Sequence, residues 1–153
     1  FTPDEDARLC DFCAHRPMLI SANFAHGFEA FRQAAMDFAR RMPDAEATVA
    51  ETYHARKKSE PSGTSLLLQR QLFETRSRVM GFAAPQPSIV VEREGDTVGV
   101  NEVRFSMGSA EATFTYRVQT RAAYAEGALA AAQWLVSTPR PAGRYSLADS
   151  LTD

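Results

Sequence analysis

Hydrophobic positions three or four residues apart predict four helices. Between residues 26 and 42, Phe28, Phe31, Ala35 and Phe38 recur at this spacing, which is typical of one buried helical face. The other predicted helices span residues 2–14, 62–82 and 122–135. The first of these opens with the capping pattern of Thr2 and Glu5.

Alternating or short apolar runs predict five strands. They cover residues 17–22, 46–54, 88–94, 97–107 and 110–120. In the last run Ala112, Phe114 and Tyr116 alternate with polar residues, which predicts one buried face. Gly95 and Asp96 between the third and fourth runs predict a tight hairpin. The sequence thus predicts an α+β fold, with a mainly antiparallel sheet of about four strands, helices on one face and a single domain over residues 1–153.

Composition narrows the classes of function. The chain has 153 residues, of which 44% are hydrophobic and 24% charged, with a formal net charge of −2. These values fit one globular domain. The charge provides no basic field for nucleic acid or for an anionic membrane. Without an apolar run of about 18–20 residues or a signal-peptide pattern, the sequence predicts a cytoplasmic protein.

Two features concern the extent of the chain. It begins with Phe1 rather than Met, and its eight glycines are scattered singly, without a Gly-x-Gly-x-x-Gly pattern. That pattern is the usual phosphate-binding loop for a dinucleotide. We therefore expect a unit taken from a longer polypeptide, in which a nucleotide-binding domain lies elsewhere.

Cys10 and Cys13 form a lone Cys-x-x-Cys pair. Such a pair suits a redox centre or half of a zinc site, but the chain has no second pair and no histidine at finger spacing. The competing interpretation, which we favour, is two small hydrophobic residues on one buried helical face. No metal site is predicted.

The segment from Glu51 to Thr64 carries the candidate chemistry. A strand ends at Tyr53 and His54, and a basic stretch containing Lys57 leads to Ser62-Gly63-Thr64 at a helix start. Unpaired backbone N–H groups and the helix dipole favour an anion there. A carboxylate could lie between that helix end and Lys57. The alternative is a solvated basic loop with Ser62 or Thr64 as a simple N-cap.

This segment resembles the signature of the 4-hydroxy-tetrahydrodipicolinate (dihydrodipicolinate) reductases, which reads Glu-x-His-His-x-x-Lys-x-Asp-x-Pro-Ser-Gly-Thr. The residues that match it are Glu51, His54, Lys57, Pro61, Ser62, Gly63 and Thr64. Three further segments resemble the family in order and spacing: residues 22–27, residues 121–127 and the stretch from Trp134 to Asp149.

The resemblance implies a C-terminal substrate-binding domain that forms a homotetramer through its sheets and works with a separate Rossmann domain. The Rossmann domain would bind NADH or NADPH, and hydride would pass from the nicotinamide to a cyclic dicarboxylate at the cleft between the domains, in lysine and diaminopimelate synthesis. Lys57 would be the catalytic cation or proton donor. The substrate carboxylates would be held by His54, Lys57, Ser62, Gly63 and Thr64. Asn23, Phe24 and Arg121 would lie near the nicotinamide.

The chain departs from the family pattern at several positions, as a divergent member would. Tyr53 stands where the family has an acid–base histidine, Ser59 replaces an aspartate and Ala25 a serine. A phenol with a pKa near 10 is a poor proton shuttle at neutral pH, so Tyr53 is a doubtful catalytic candidate. Two alternatives stay open: a reductase of another cyclic imine or unsaturated acid, or a non-catalytic module in which Phe114 and Tyr116 face a subunit interface.

Overall fold

The structure, a computed structural model, describes residues 2–151; Phe1, on which the unusual start was noted, lies outside them. The elements are α1 (Pro3–His15), β1 (Pro17–Leu19), α2 (Phe28–Arg41), β2 (Glu46–Tyr53), α3 (Gly63–Met80), β3 (Ser88–Arg93), β4 (Gly99–Ser106), β5 (Glu111–Val118), α4 (Ala122–Ser137), β6 (Gly143–Tyr145) and a short 3₁₀ helix (Asp149–Leu151). They group into two compact units, one from Gly27 to Arg121 and one from the segments on either side. The assignment of residues 1–153 to one domain stays a prediction.

The unit built from the two end segments contains α1, α4 and a two-stranded parallel sheet of β1 and β6. The predicted capping box is confirmed, because Thr2 Oγ1 accepts from Glu5 N and Glu5 Oε2 accepts from Thr2 N. Strand β6 was not predicted, since its three residues pair with a segment more than 120 positions earlier. A Cβ on Gly127 would lie 1.7 Å from the carbonyl oxygen of Phe24, so α4 packs against this backbone only through glycine.

The two cysteines of α1 differ in environment. Cys13 is buried, as predicted, whereas Cys10 is exposed, so the prediction of a shared buried face is wrong for Cys10. Residues three apart on a helix lie about 60° apart around its axis. The less exposed residues of α1 include Asp6, Leu9 and Cys13, and Cys10 lies to one side of them.

The Gly27–Arg121 unit confirms the α+β class, with a four-stranded sheet in the order β3-β2-β4-β5. β2 pairs in parallel with β3 and antiparallel with β4, and β4 pairs antiparallel with β5. The predicted hairpin between β3 and β4 is therefore wrong, because β2 lies between these strands. Glu94 N donates to the Tyr53 carbonyl and Ala55 N to that of Gly95, so the chain after β3 stays on the end of β2 before it crosses to β4.

Helices α2 and α3 cover one face of this sheet, and the hydrophobic core lies between the helices and the sheet. The buried core includes Phe28, Leu68, Leu72, Val49, Val103 and Phe105. Phe38 lies 4.7 Å from Phe105 and 5.5 Å from Phe114, measured between ring centroids. Tyr116 contacts Phe28 and Phe31 in the same way. Phe114 and Tyr116 thus pack within the unit, which corrects their suggested place in a subunit interface.

Between residues 2 and 151, no helix combines the length and the apolar character that a membrane crossing requires.

Candidate functional site

The candidate site lies where β2 ends and α3 begins. These elements are joined by the β2–α3 loop (residues 54–62), which carries Lys57 and leads into the predicted Ser62-Gly63-Thr64 helix start. All of these residues belong to the Gly27–Arg121 unit. The structure therefore brings the predicted cation and the predicted anion-binding helix end onto one short connection.

Glu51 on β2 holds the N-terminus of α3 in place. Its side chain lies on the core face of β2 and is 1% exposed. Its carboxylate accepts from Ser62 N at 3.0 and 3.2 Å and from the Ser65 hydroxyl. A carboxylate is favoured at a helix N-terminus by the dipole and the unpaired N–H groups. Part of the anion preference of α3 is thus used inside the protein, and it orients the first turn.

Arg93 joins this carboxylate to the β2–α3 loop. Its Nη2 atom donates to Glu51 Oε1 at 3.0 Å and to the carbonyl oxygen of Ser59 at 2.8 Å. The ion pair is well shielded, since 16% of the Arg93 side chain and none of the Glu51 side chain is exposed. The loop is therefore held both at its middle and at its junction with α3.

Burial alone would raise the pKa of Glu51, but hydrogen bonds from Ser62, Ser65 and Arg93 outweigh it and hold the pKa below the usual 4.5. Because the folded state favours the ionised form, Glu51 contributes its full stabilisation above about pH 4.5 and loses it as the pH falls further. We expect Glu51→Gln to lower the free energy of unfolding by about 2–4 kcal/mol at pH 7. Urea unfolding between pH 7 and 3 should show this difference constant down to pH 5 and shrinking below 4.5.

Glu92→Gln is the matched control for this change. Glu92 lies on neighbouring β3 and is exposed, and its carboxylate accepts a hydrogen bond from the Thr52 hydroxyl at 3.2 Å, which the amide oxygen of Gln can also accept. It should change the free energy of unfolding by less than about 0.5 kcal/mol. A Glu51→Gln protein as stable as the wild type at pH 7 would contradict the role assigned to this carboxylate.

Ser62 is the N-cap of α3. Its hydroxyl accepts from Ser65 N at 3.2 Å, and the residue is 3% exposed. Gly63, the first helical residue, is exposed, and a Cβ built on it would meet no atom of the described residues within 4 Å. Thr64 is buried. The open side of the helix end is therefore at Gly63, while Ser62 and Glu51 organise it from within.

Tyr53 closes β2 and points into the unit. It is 5% exposed, and its hydroxyl donates to Asn101 Oδ1 at 3.3 Å. Lys57 Nζ lies 4.5 Å from the centroid of the Tyr53 ring. Lys57 itself is half-buried, and within residues 2–151 its ammonium forms no ion pair. A positive charge with no ion pair among residues 2–151 thus lies against the Tyr53 ring, in the loop that leads to the helix end.

His54 follows Tyr53 and is half-buried. Its Nδ1 atom is buried and has no hydrogen-bond partner within the described part of the chain, and the same holds for Arg93 Nε and Asn101 Nδ2. Buried polar atoms are normally paired. All three residues lie next to Tyr53, so this end of the core, where β2 meets the loop to α3, is polar.

The three residues predicted near a nicotinamide are divided between the two units. Asn23 and Phe24 belong to the unit formed by the end segments, where Asn23 is buried and its Oδ1 accepts from Ala25 N at 2.8 Å. Arg121 is exposed and is the last residue of the Gly27–Arg121 unit. Their closeness to a coenzyme stays a prediction.

The sequence interpretation overlooked Arg93 and Asn101 and treated Glu51 only as part of a motif. A signal for Glu51 was present, because it shares a strand face with Ala47 and Val49, and a carboxylate on such a face needs partners. Asn101 and Arg93 had no comparable local signal. Their places follow from the strand register, which pairs Glu51 with Asn101 and Tyr53 with Arg93.

Comparison with known proteins agrees with the fold and places the chain in a class. A solved structure, the dipicolinate-bound dihydrodipicolinate reductase from Paenisporosarcina sp. TG-14, superposes with a TM-score of 0.70 over 95% of this chain and 59% of that one, at 15% identity. The chain thus has the α+β fold of that reductase's matching part.

A family model described as dihydrodipicolinate reductase, C-terminus, matches residues 27–151. The chain is 32% identical over 159 residues to the 4-hydroxy-tetrahydrodipicolinate reductase of Methanocorpusculum labreanum and 31% identical over 154 residues to that of Gluconobacter oxydans. It belongs to the dihydrodipicolinate reductase family and contains the C-terminal domain. The alignments cover 99% and 90% of this chain but 62% and 58% of those relatives.

Proposed function

We propose that this chain forms the substrate-binding part of an NAD(P)H-dependent 4-hydroxy-tetrahydrodipicolinate reductase, in lysine and diaminopimelate biosynthesis. The observation that carries the proposal is the corner formed by Lys57 and the N-terminus of α3. A lysine that forms no ion pair among residues 2–151 lies five residues before a helix end that the Glu51–Arg93 pair holds in place. The chemistry of this corner suits a carboxylate.

The proposed binding mode divides the work between two kinds of group. Backbone N–H groups of the first turn of α3 donate to one substrate carboxylate on the open side of Gly63, and the Lys57 ammonium neutralises its charge. Thr64 and His54 contribute further donors. Ser62 acts through its cap, because its hydroxyl and its N–H are engaged with Ser65 and Glu51. Such pre-oriented donors lose little entropy on binding.

The reduction also needs a hydride and a proton. NADH or NADPH would supply the hydride, and since the chain has no Gly-x-Gly-x-x-Gly loop, its own residues would not hold the coenzyme phosphates. Loss of the 4-hydroxyl group of the substrate as water would give a conjugated imine, and hydride addition to that imine leaves negative charge that a proton then neutralises. We assign Lys57 to stabilise that charge or to donate the proton. Asn23, Phe24 and Arg121 are proposed to lie near the nicotinamide, and the chain alone is expected to be inactive.

Gly63→Ala tests the binding mode without disturbing the fold. The new methyl group meets open space, and the backbone of Gly63 is not left-handed. We therefore expect the free energy of unfolding to rise by about 0.5–1 kcal/mol. A carboxylate seated on this turn would meet the methyl group. We expect roughly tenfold weaker binding of pyridine-2,6-dicarboxylate by calorimetry.

Gly81→Ala serves as a contrast for that measurement. Gly81 is the left-handed C-cap at the other end of α3, with a φ of 77°. That change should lower stability and leave affinity unchanged. If wild type and Gly63→Ala bind pyridine-2,6-dicarboxylate with equal affinity, the ligand does not bind at this turn.

A second candidate is a divergent reductase of another cyclic imine or unsaturated carboxylic acid. The buried Tyr53 favours it, since its hydroxyl is bound to Asn101 where the family has an acid–base histidine. Carboxylate recognition would be retained and the acid–base step altered. A non-catalytic carboxylate-binding or oligomerisation module is the third possibility.

Assembly into a homotetramer is proposed through the sheet face opposite α2 and α3. We call it the open sheet face, and its exposed residues include Ser88, Val90, Glu92, Thr113, Thr115 and Arg117. It alternates with the core face along β3 and β5. A cytoplasmic location is part of the same proposal, as is the absence of a nucleic-acid or membrane partner.

The complete protein should be assayed with NADPH and NADH against 4-hydroxy-tetrahydrodipicolinate. Turnover with either coenzyme is the expected result. Binding of pyridine-2,6-dicarboxylate without turnover would favour the divergent reductase. If the protein neither turns over the substrate nor binds pyridine-2,6-dicarboxylate, the proposal is wrong.

A further inference from the structure

We propose that Tyr53 is a positioning residue, whose ring holds the Lys57 ammonium in place for the carboxylate while its hydroxyl takes no part in proton transfer. The proposal goes beyond the function above and rests on it for the identity of the ligand. It explains how a family member can work with a phenol at this position.

The hydroxyl of Tyr53 is committed to the protein interior. The residue is 5% exposed, and its hydroxyl donates to Asn101, whose side chain is fully buried in the neighbouring strand β4. A proton donor must come within hydrogen-bond distance of the reacting atom. This hydroxyl would first have to break its internal bond and leave the core.

The ring of Tyr53, in contrast, faces the cation of the site. Lys57 Nζ lies 4.5 Å from its centroid, within the range of a cation–π contact. No ion pair within the described residues competes for this ammonium. Because a lysine side chain has four rotatable carbons and a compact charge, a fixed aromatic surface restricts where that charge can lie.

The ring is itself fixed on two sides. The residue is 5% exposed, so it is packed within the unit, and the Arg93 guanidinium carbon lies 5.9 Å from the ring centroid; neither feature depends on the hydroxyl. Arg93 in turn is held by Glu51 and by the carbonyl of Ser59. The same buried pair that orients the helix end therefore also supports the surface on which Lys57 rests.

A double-mutant cycle tests the proposal in the complete protein, with pyridine-2,6-dicarboxylate as the probe and calorimetry as the readout. Tyr53→Phe keeps the ring and should bind within about twofold of wild type. Tyr53→Leu removes the ring and should bind roughly tenfold more weakly. In a Lys57→Met background, Tyr53→Leu should cost nothing further, because its effect passes through the lysine. An equal loss in both backgrounds would overturn the proposal.

Turnover separates the hydroxyl from the ring. Tyr53→Phe should keep kcat and the shape of the pH–rate profile, whereas Tyr53→Leu should raise KM. A limb of the profile that disappears in Tyr53→Phe would identify the phenol as a proton donor and would overturn the proposal.

Amine labelling measures the lysine directly and needs no ligand, so it also decides the case in which the proposed function fails. Lys57 and Lys58 are the only lysines of the chain, and Lys58 is exposed. Peptide mass spectrometry should find Lys57 modified more slowly than Lys58 in wild type and Tyr53→Phe, and equally fast in Tyr53→Leu. Equal rates in wild type would contradict the ring contact, whereas absent dicarboxylate binding with the expected labelling would reject only the proposed function.

Discussion

Replacing Lys57 with methionine is expected to weaken dicarboxylate binding about 10- to 100-fold and to lower turnover of the complete protein about 10²- to 10⁴-fold. Methionine keeps most of the length and apolar character of the side chain and removes only the charge. The ammonium forms no ion pair within residues 2–151, so its loss leaves no opposite charge unpaired there. Calorimetry with pyridine-2,6-dicarboxylate and steady-state kinetics measure the two effects.

Lys58→Met is the matched control, since it removes the same charge from the next residue of the same loop. Lys58 is exposed, whereas Lys57 is half-buried against Tyr53. Affinity and turnover should stay within about twofold of wild type, because exposed charges are screened by solvent and salt. Equal losses of affinity and turnover in Lys57→Met and Lys58→Met would show that only the general positive charge of the loop matters. No loss in either variant would show that Lys57 does not belong to the site.

Arg76→Met is expected to cause the largest loss of stability, about 3–5 kcal/mol in urea unfolding. Arg76 lies on α3, is 2% exposed, and donates from Nε to the Pro43 carbonyl at 2.9 Å and from NH1 to the Pro85 carbonyl at 3.0 Å. Burial lowers the pKa of this arginine, and nearby Asp44 opposes that effect. Methionine would fill much of the volume but leave both carbonyls without this donor.

The consequence extends to the site because of where these carbonyls lie. Pro43 precedes β2 and Pro85 precedes β3, so Arg76 links the entries of the two strands that carry Glu51 and Arg93. Arg78→Met, two residues along on the exposed side of α3, should change stability by less than about 0.5 kcal/mol. An Arg76→Met protein as stable as this control would show that the buried guanidinium is dispensable.

Features set by neighbouring residues were predicted well from the sequence. The capping box of α1, the four helices and the alternation along β5 depend on contacts within a few residues, and the structure confirms each. The start of α3 was also placed correctly, with Ser62 as its N-cap. These properties follow from local periodicity and capping chemistry.

Features set by the pairing of distant strands were not predicted from the sequence. The Gly95-Asp96 turn indicated a hairpin, yet β3 and β4 both pair with β2, on opposite sides of it. Local patterns do not report which strand a neighbour will prefer. One available signal was the helix between residues 63 and 80, since a helix linking two strands is the usual crossover of a parallel pair.

The interior of the site was hidden for the same reason. Glu51, Arg93 and Asn101 are separated by up to 50 residues in sequence and meet only through the register of β2, β3 and β4. The sequence predicted Lys57 and Gly63 as groups for a ligand, and that role stays a prediction. It did not predict the buried pair that holds them in place.

An NMR titration of the ¹⁵N-labelled protein with pyridine-2,6-dicarboxylate tests the central claim most directly. The account predicts saturable shifts centred on the amides of Gly63 and Thr64 and on Lys57, with Gly81 at the far end of α3 unchanged. The Lys57→Met protein should need a much higher concentration to show them. Shifts centred elsewhere on the chain, or none at concentrations well above millimolar, would contradict a carboxylate site at this helix end.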